Sequence, residues 1–153
     1  MSISLAVRPL QSSDFSVWSV LWDGYNQFYG RSGADALAPE ITRTCWARFF
    51  DPDEPVWALV AECDGFLIGF AHYLFHRSTT LIGPTCYLQD LYTVEAARGQ
   101  GVGRLLVEAV YARAREAGAG RVYWQTHETN LTAMRLYDSV AERSGFLVYR
   151  KIL

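Results

Sequence analysis

Seven residues, Arg98, Gly99, Gln100, Gly101, Val102, Gly103 and Arg104, place glycines at alternate positions between two arginines, directly ahead of an amphipathic apolar run. Glycine lets a backbone come close to a ligand, and the first turn of a helix presents unpaired N–H groups at the positive end of its dipole. The chemistry this suits is the binding of a pyrophosphate, with Arg98 and Arg104 adding charge. A flexible exposed loop with helix-flanking arginines would carry the same letters. Two common nucleotide loops are excluded. G-x-G-x-x-G fails in both registers, because Arg104 and Leu106 stand where the last glycine belongs, and no Gly-Lys-Ser/Thr follows to make a P-loop.

A second constellation lies at 130–146, NLTAMRLYDSVAERSGF. Asn130 and Leu131 follow a strand-like run, Tyr137 falls two turns into a helix, and Ser-Gly-Phe closes the stretch. A tyrosine on an amphipathic helix serves packing as readily as chemistry, and the spacing alone leaves both readings open.

Several elements must position these residues. A weakly alternating start predicts a strand over 2–10, and Trp18, Leu21, Trp22, Tyr25, Phe28 and Tyr29 recur at helical spacing over 14–29 as an aromatic stripe read as core. Pro39 opens a second helix through about residue 50. Two β-rich runs, 56–63 and 66–76, flank Asp64-Gly65 and predict a hairpin. A strand over 85–94 leads into the glycine loop, a helix follows to Gly118, and then come a strand over 121–127, a helix over 131–143 and a last strand over 145–153. This order predicts an α/β (α+β) fold with helices packed on a central sheet, a single domain over 1–153.

Composition narrows the partners. Half the residues are hydrophobic and a fifth charged, an ordinary globular balance. No run nears the roughly 18 apolar residues of a membrane span and no secretory layout opens the chain, so a cytoplasmic protein without a membrane partner is expected. A net charge of −2 gives no basic surface for nucleic acid. Cys45, Cys63 and Cys86 form no CxxC pair and read as small buried thiols. His72 and His76, four apart on a strand, would stand about 13 Å apart, too far to share a metal.

With both motifs in this order, LYTVEAARGQGVGRLLVEAV resembles the acetyl-CoA-binding segment of the GNAT superfamily of N-acetyltransferases, and N..A...Y....GF is similar to the segment that follows it. YLQDLYT and YWQTHETN look most like the branch with spermidine/spermine, D-amino-acid and some protein acetyltransferases. The resemblance implies a GNAT fold: a central, mixed, mostly antiparallel twisted sheet flanked by helices, with two strands splayed into a cleft for acetyl-CoA, no metal, and a small-molecule or peptide amine as acceptor.

It also implies roles. Backbone N–H groups of residues 98–104 hold the pyrophosphate, the strand end Leu91, Tyr92 and Thr93 pairs with the pantetheine arm and supplies an oxyanion donor, and Asn130 contacts the same arm. Tyr137 matches the general acid, since a phenol with a pKa of about 10 stays protonated until a thiolate of about 8.5 leaves. The base is less defined. Where polyamine-type enzymes have Glu-Asp, this chain has Gln89-Asp90, leaving Asp90, Glu128 or a water relay, with His127 as a weaker choice. Gln89 also keeps open a catalytically weak CoA-binding sensor or assembly module. Finally, the residues after Phe146 suffice for one of the family's two closing strands, so a homodimer through the C-terminal strand is expected.

Overall fold

A computed structural model of the chain describes residues 4–153, so the first residues of the expected opening strand lie outside the described residues. Five strands follow one another across a single sheet: β1 (Leu5–Pro9), β2 (Val56–Cys63), β3 (Phe66–His76), β4 (Thr85–Thr93) and β5 (Arg121–Tyr123). The first four are antiparallel neighbours and β5 runs parallel to β4, giving the mixed, mostly antiparallel sheet expected. Asp64 (φ 48°) and Gly65 (φ 86°) both take the left-handed conformation that a two-residue hairpin turn demands, which is why the β2–β3 hairpin keeps its predicted bounds.

Helices cover both faces. On one, α1 (Phe15–Phe28) lays Trp18, Leu21, Trp22 and Tyr25 against Val60 and Phe70, with α2 (Pro39–Phe49) adding Trp46 and Phe49. On the other, α3 (Val102–Glu116) buries Val102, Leu106, Val107, Val110 and Ala114 against Leu59, Ala61, Ala71 and Leu88. The strands between are buried on both sides and read as continuous apolar runs. Trp18 is wholly buried, and truncating it to Ala would cost about 3–5 kcal/mol.

Three expected elements fall short, and two burial expectations hold only in part. The strand over 121–127 stops at Tyr123, because it pairs with only three residues of β4. The helix α4 (Leu131–Val140) ends three residues early, at an extended Ala141. Residues 145–153 form no strand: they pair with none of the five strands, and Phe146, Leu147, Tyr149 and Ile152 stand exposed. Of the cysteines only Cys86 is fully buried, while Cys45 and Cys63 are half-buried. The aromatic stripe likewise stops being core at Tyr25, leaving Phe28 and Tyr29 exposed at the end of α1.

Candidate active site

The glycine loop connects β4 to α3 through a single 3-10 turn, Glu95–Ala97. Gly101 is the N-cap of α3 with φ 83°, and no side chain caps the helix. The N–H groups of the first turn therefore have neither an intrahelical acceptor nor a capping oxygen. A Cβ at Gly101 would meet nothing within 4 Å, so the glycine is required by its φ rather than by crowding. At Gly103 the reverse holds: a Cβ would fall 3.0 Å from Leu136, and its absence lets α4 settle on the first turn of α3.

Both arginines already have protein contacts. Arg98 donates from Nε to the Thr93 carbonyl at 3.0 Å, with its guanidinium 5.7 Å from the Phe28 ring and 5.9 Å from that of Tyr92. Arg104 donates to Ser139 Oγ on α4 at 2.6 Å. The loop is thus pinned to the end of β4, to α1 and to α4. Gln100 and Gly99 are exposed between these anchors.

β4 and β5 part company after three pairs. Thr85, Cys86 and Tyr87 face Arg121, Val122 and Tyr123, and from Leu88 to Thr93 β4 has β3 on one side and no strand on the other. Leu91, Tyr92 and Thr93, each half-buried, form the rim of that opening. Beyond β5, Asn130 stands at the N-cap of α4 without a side-chain capping bond, its amide reaching back to Thr126 Oγ1 at 3.4 Å. Tyr137 stands edge-on to Trp124 at 5.4 Å and its hydroxyl makes no hydrogen bond among the described residues. Burial, then the Tyr29 hydroxyl, push the Tyr137 phenol up to about 12.

Asp90 is the centre of a network that sequence reasoning missed. Its Oδ1 accepts from the Tyr25 hydroxyl at 2.7 Å and its Oδ2 lies 2.9 Å from His72 Nδ1, while Trp18 Nε1 donates to His72 Nε2 at 3.1 Å. An indole nitrogen can only donate, so Nε2 must accept, the proton sits on Nδ1, and His72 is neutral. His72 is 2% exposed and stacks on Phe70 at 4.3 Å. Burial first, then the charge of Asp90, hold the Tyr25 phenol well above its usual range.

A strand irregularity makes this possible. His72 pairs with Asp90 but Tyr73 pairs with Leu88, so Gln89 is squeezed out as a bulge and lies exposed. Leu88 packs against α3, whereas Asp90, two residues on, bonds to α1. A regular strand would turn both to one face. Glu128 is exposed in the turn before α4, beside His127, which bonds to Thr129 at 2.7 Å. No hydrogen bond joins either to the Asp90 network. Among the described residues no cluster of His, Cys, Asp and Glu could hold a metal ion, and no helix is long and apolar enough to cross a membrane.

Known proteins resemble this chain in both sequence and fold. The acetyltransferase (GNAT) family model matches residues 16–141. The chain belongs to the GNAT family. It is an acetyltransferase by that membership and by its named relatives. It is 38% identical over 149 residues to the D-amino-acid N-acetyltransferase HPA3 of Saccharomyces cerevisiae, covering 96% of this chain and 90% of that protein. It is 30% identical to the aminoglycoside N(6')-acetyltransferase type 1 of Klebsiella aerogenes over the whole of both chains. In fold, the GNAT chain matches the aminoglycoside N-acetyltransferase AAC(6')-Iy, solved in complex with CoA, with a TM-score of 0.80 at 15% identity over 99% of this chain and 97% of that one.

Proposed function

We propose that this GNAT enzyme, as a single domain in the cytoplasm, transfers acetyl from acetyl-CoA to a primary amine by direct attack on the thioester. The observation that carries this reading is the parting of β4 from β5 beside the uncapped turn of α3. The first-turn N–H groups of α3 and the glycine loop take the pyrophosphate, and the rim Leu91–Thr93, with no strand on the side away from β3, takes the pantetheine amides and aims the carbonyl. A backbone N–H of that rim, opposite the developing oxyanion, is a type of contact worth about 2.7–4 kcal/mol. The amine nitrogen attacks the carbonyl carbon, the tetrahedral adduct expels the CoA thiolate, and Tyr137 gives the sulfur its proton. The proton on the new ammonium nitrogen then restores the phenol, so a neutral amine and thioester yield an amide and a thiol.

An amine that arrives protonated must first lose a proton. Both oxygens of Asp90 are engaged, so a proton reaches it through the Tyr25 hydroxyl, which takes the amine's proton as it gives up its own. Glu128, in the exposed turn, is the alternative. The sensor reading loses its argument, since Gln89 is an exposed bulge residue and Asp90 beside it is the fixed carboxylate. Acceptors are small amines or lysine-like amines, and the D-amino acids named for the yeast relative are the first to try. Thiol release from acetyl-CoA across polyamines, both amino-acid enantiomers and lysine peptides tests the reading. No acetyl-CoA-dependent release on any of them would overturn it.

The enzyme works as a homodimer in which the C-terminal segment of one copy lies along the other. β5 is the last strand of the sheet with one edge open, and residues 145–153 offer a β-rich run, exposed at Phe146, Leu147, Val148 and Tyr149. Light scattering should give a dimer for the full chain and a monomer after truncation at Ser144. A full chain that stays monomeric at high micromolar concentration rules this out.

A further inference from the structure

We infer that the acceptor carries a carboxylate as well as its amine, an amino acid with its acid group free, and that Arg31 is the side chain that reads it. The inference rests on the acetyl-transfer reading above and concerns the acceptor half of the same site. Arg31 follows the end of α1, and a buried side chain fixes it there: its backbone N–H donates to the Asn26 carbonyl at 2.8 Å and its Nε donates to Asn26 Oδ1 at 2.7 Å. Asn26 is 4% exposed and its own amide donates to the Trp22 carbonyl at 2.9 Å, so the base of the guanidinium is held by a rigid turn.

The outer edge of that guanidinium is different. Arg31 forms no salt bridge among the described residues, and neither terminal nitrogen has an acceptor there. Its carbon stands 5.3 Å from the Tyr29 ring and 5.8 Å from the Tyr25 ring. Those rings lead into the reaction site. Tyr25 bonds to Asp90, and the Tyr29 ring lies against that of Tyr25 with centroids 5.0 Å apart. The neighbouring Phe28 touches Arg98 of the loop.

A fixed cation and a fixed anion thus flank one aromatic platform. The pair of unbonded N–H groups on a planar guanidinium matches a carboxylate in a bidentate grip, while Asp90 favours the amine.

Matched acceptors test this: alanine, phenylalanine and lysine against ethylamine, phenethylamine and cadaverine, each with kcat and KM from thiol release. Wild type should favour the amino acid. In Arg31→Met the ratio of kcat/KM between amino acid and decarboxylated partner should fall about 10- to 100-fold, the worth of one charge-assisted contact, mainly through KM. Arg31→Lys should restore part of that ratio. A wild type that takes the decarboxylated amines equally well, or an Arg31→Met that leaves the ratio unchanged, overturns the assignment alone. No turnover on any amine overturns the acetyl-transfer reading and this one with it.

Discussion

The two faces of the sheet are built on different principles. Against α3 the core is mostly aliphatic, and the helix it supports contributes backbone: bare N–H groups on a glycine turn. Against α1 the core is aromatic and encloses polar groups, with Asn26, His72 and Asp90 hydrogen-bonded among Trp18, Trp22, Tyr25 and Phe70. The first arrangement suits a ligand recognised by its phosphates, for which side-chain identity matters little. The second fixes particular side chains at fixed distances, as proton transfer and acceptor choice require. The faces should therefore respond differently to substitution.

Tyr137→Phe gives the largest expected effect on turnover. It removes one hydroxyl and keeps the ring against Trp124, so kcat should fall about 10²- to 10⁴-fold with acetyl-CoA affinity unchanged. Because its phenol is pushed up to about 12, Tyr137 stays protonated through the working range, and the wild-type kcat should show no alkaline decline from it below about pH 11. A mutant with wild-type kcat when chemistry limits the rate returns Tyr137 to packing.

Next comes Asp90→Asn, which keeps an acceptor for His72 but cannot take a proton. A loss of about 10²-fold and a flattened rise of kcat/KM with pH are expected, and an unchanged profile would move the base to Glu128 or water.

Gly101→Asp attacks the other face. A side chain there meets nothing within 4 Å, so folding should survive the local strain at φ 83°, while a negative charge at the proposed pyrophosphate site should weaken acetyl-CoA by about tenfold or more, roughly 1.4 kcal/mol. Calorimetry that finds full affinity in the folded variant removes the loop's assignment. Smallest in turnover is Leu106→Ala. Buried among aliphatic side chains, it should cost about 2–5 kcal/mol in denaturant titration yet leave kcat per folded molecule nearly unchanged. A large loss of kcat there would show that the α3 core shapes the chemistry after all.

Much of the scaffold was legible because its signals are local. The hairpin turn, Pro39 at the start of α2 and the glycine N-cap of α3 each declare themselves within a few residues. The strands that misled were those whose extent depends on a neighbour: β5 is as long as its pairing with β4 allows, and residues 145–153, β-rich as they are, pair with no strand among the described residues. The Asp90 network was hidden for the same reason. Its members are separated by 18, 54 and 65 positions, and the bulge at Gln89 decides which face Asp90 takes.

By itself, then, the sequence determined the glycine loop and the start of α3. A run of alternate glycines before an amphipathic helix fixes backbone φ and leaves helix N–H groups open, and both are properties of contiguous residues. Only the tertiary structure decided the network against α1, where His72 is locked neutral, Asp90 is turned toward Tyr25, and Arg31 is held with its outer edge unbonded among the described residues. Those states arise from hydrogen bonds between α1, β3 and β4, and a hydrogen bond between distant residues exists only once register and packing have brought its two ends within about 3 Å.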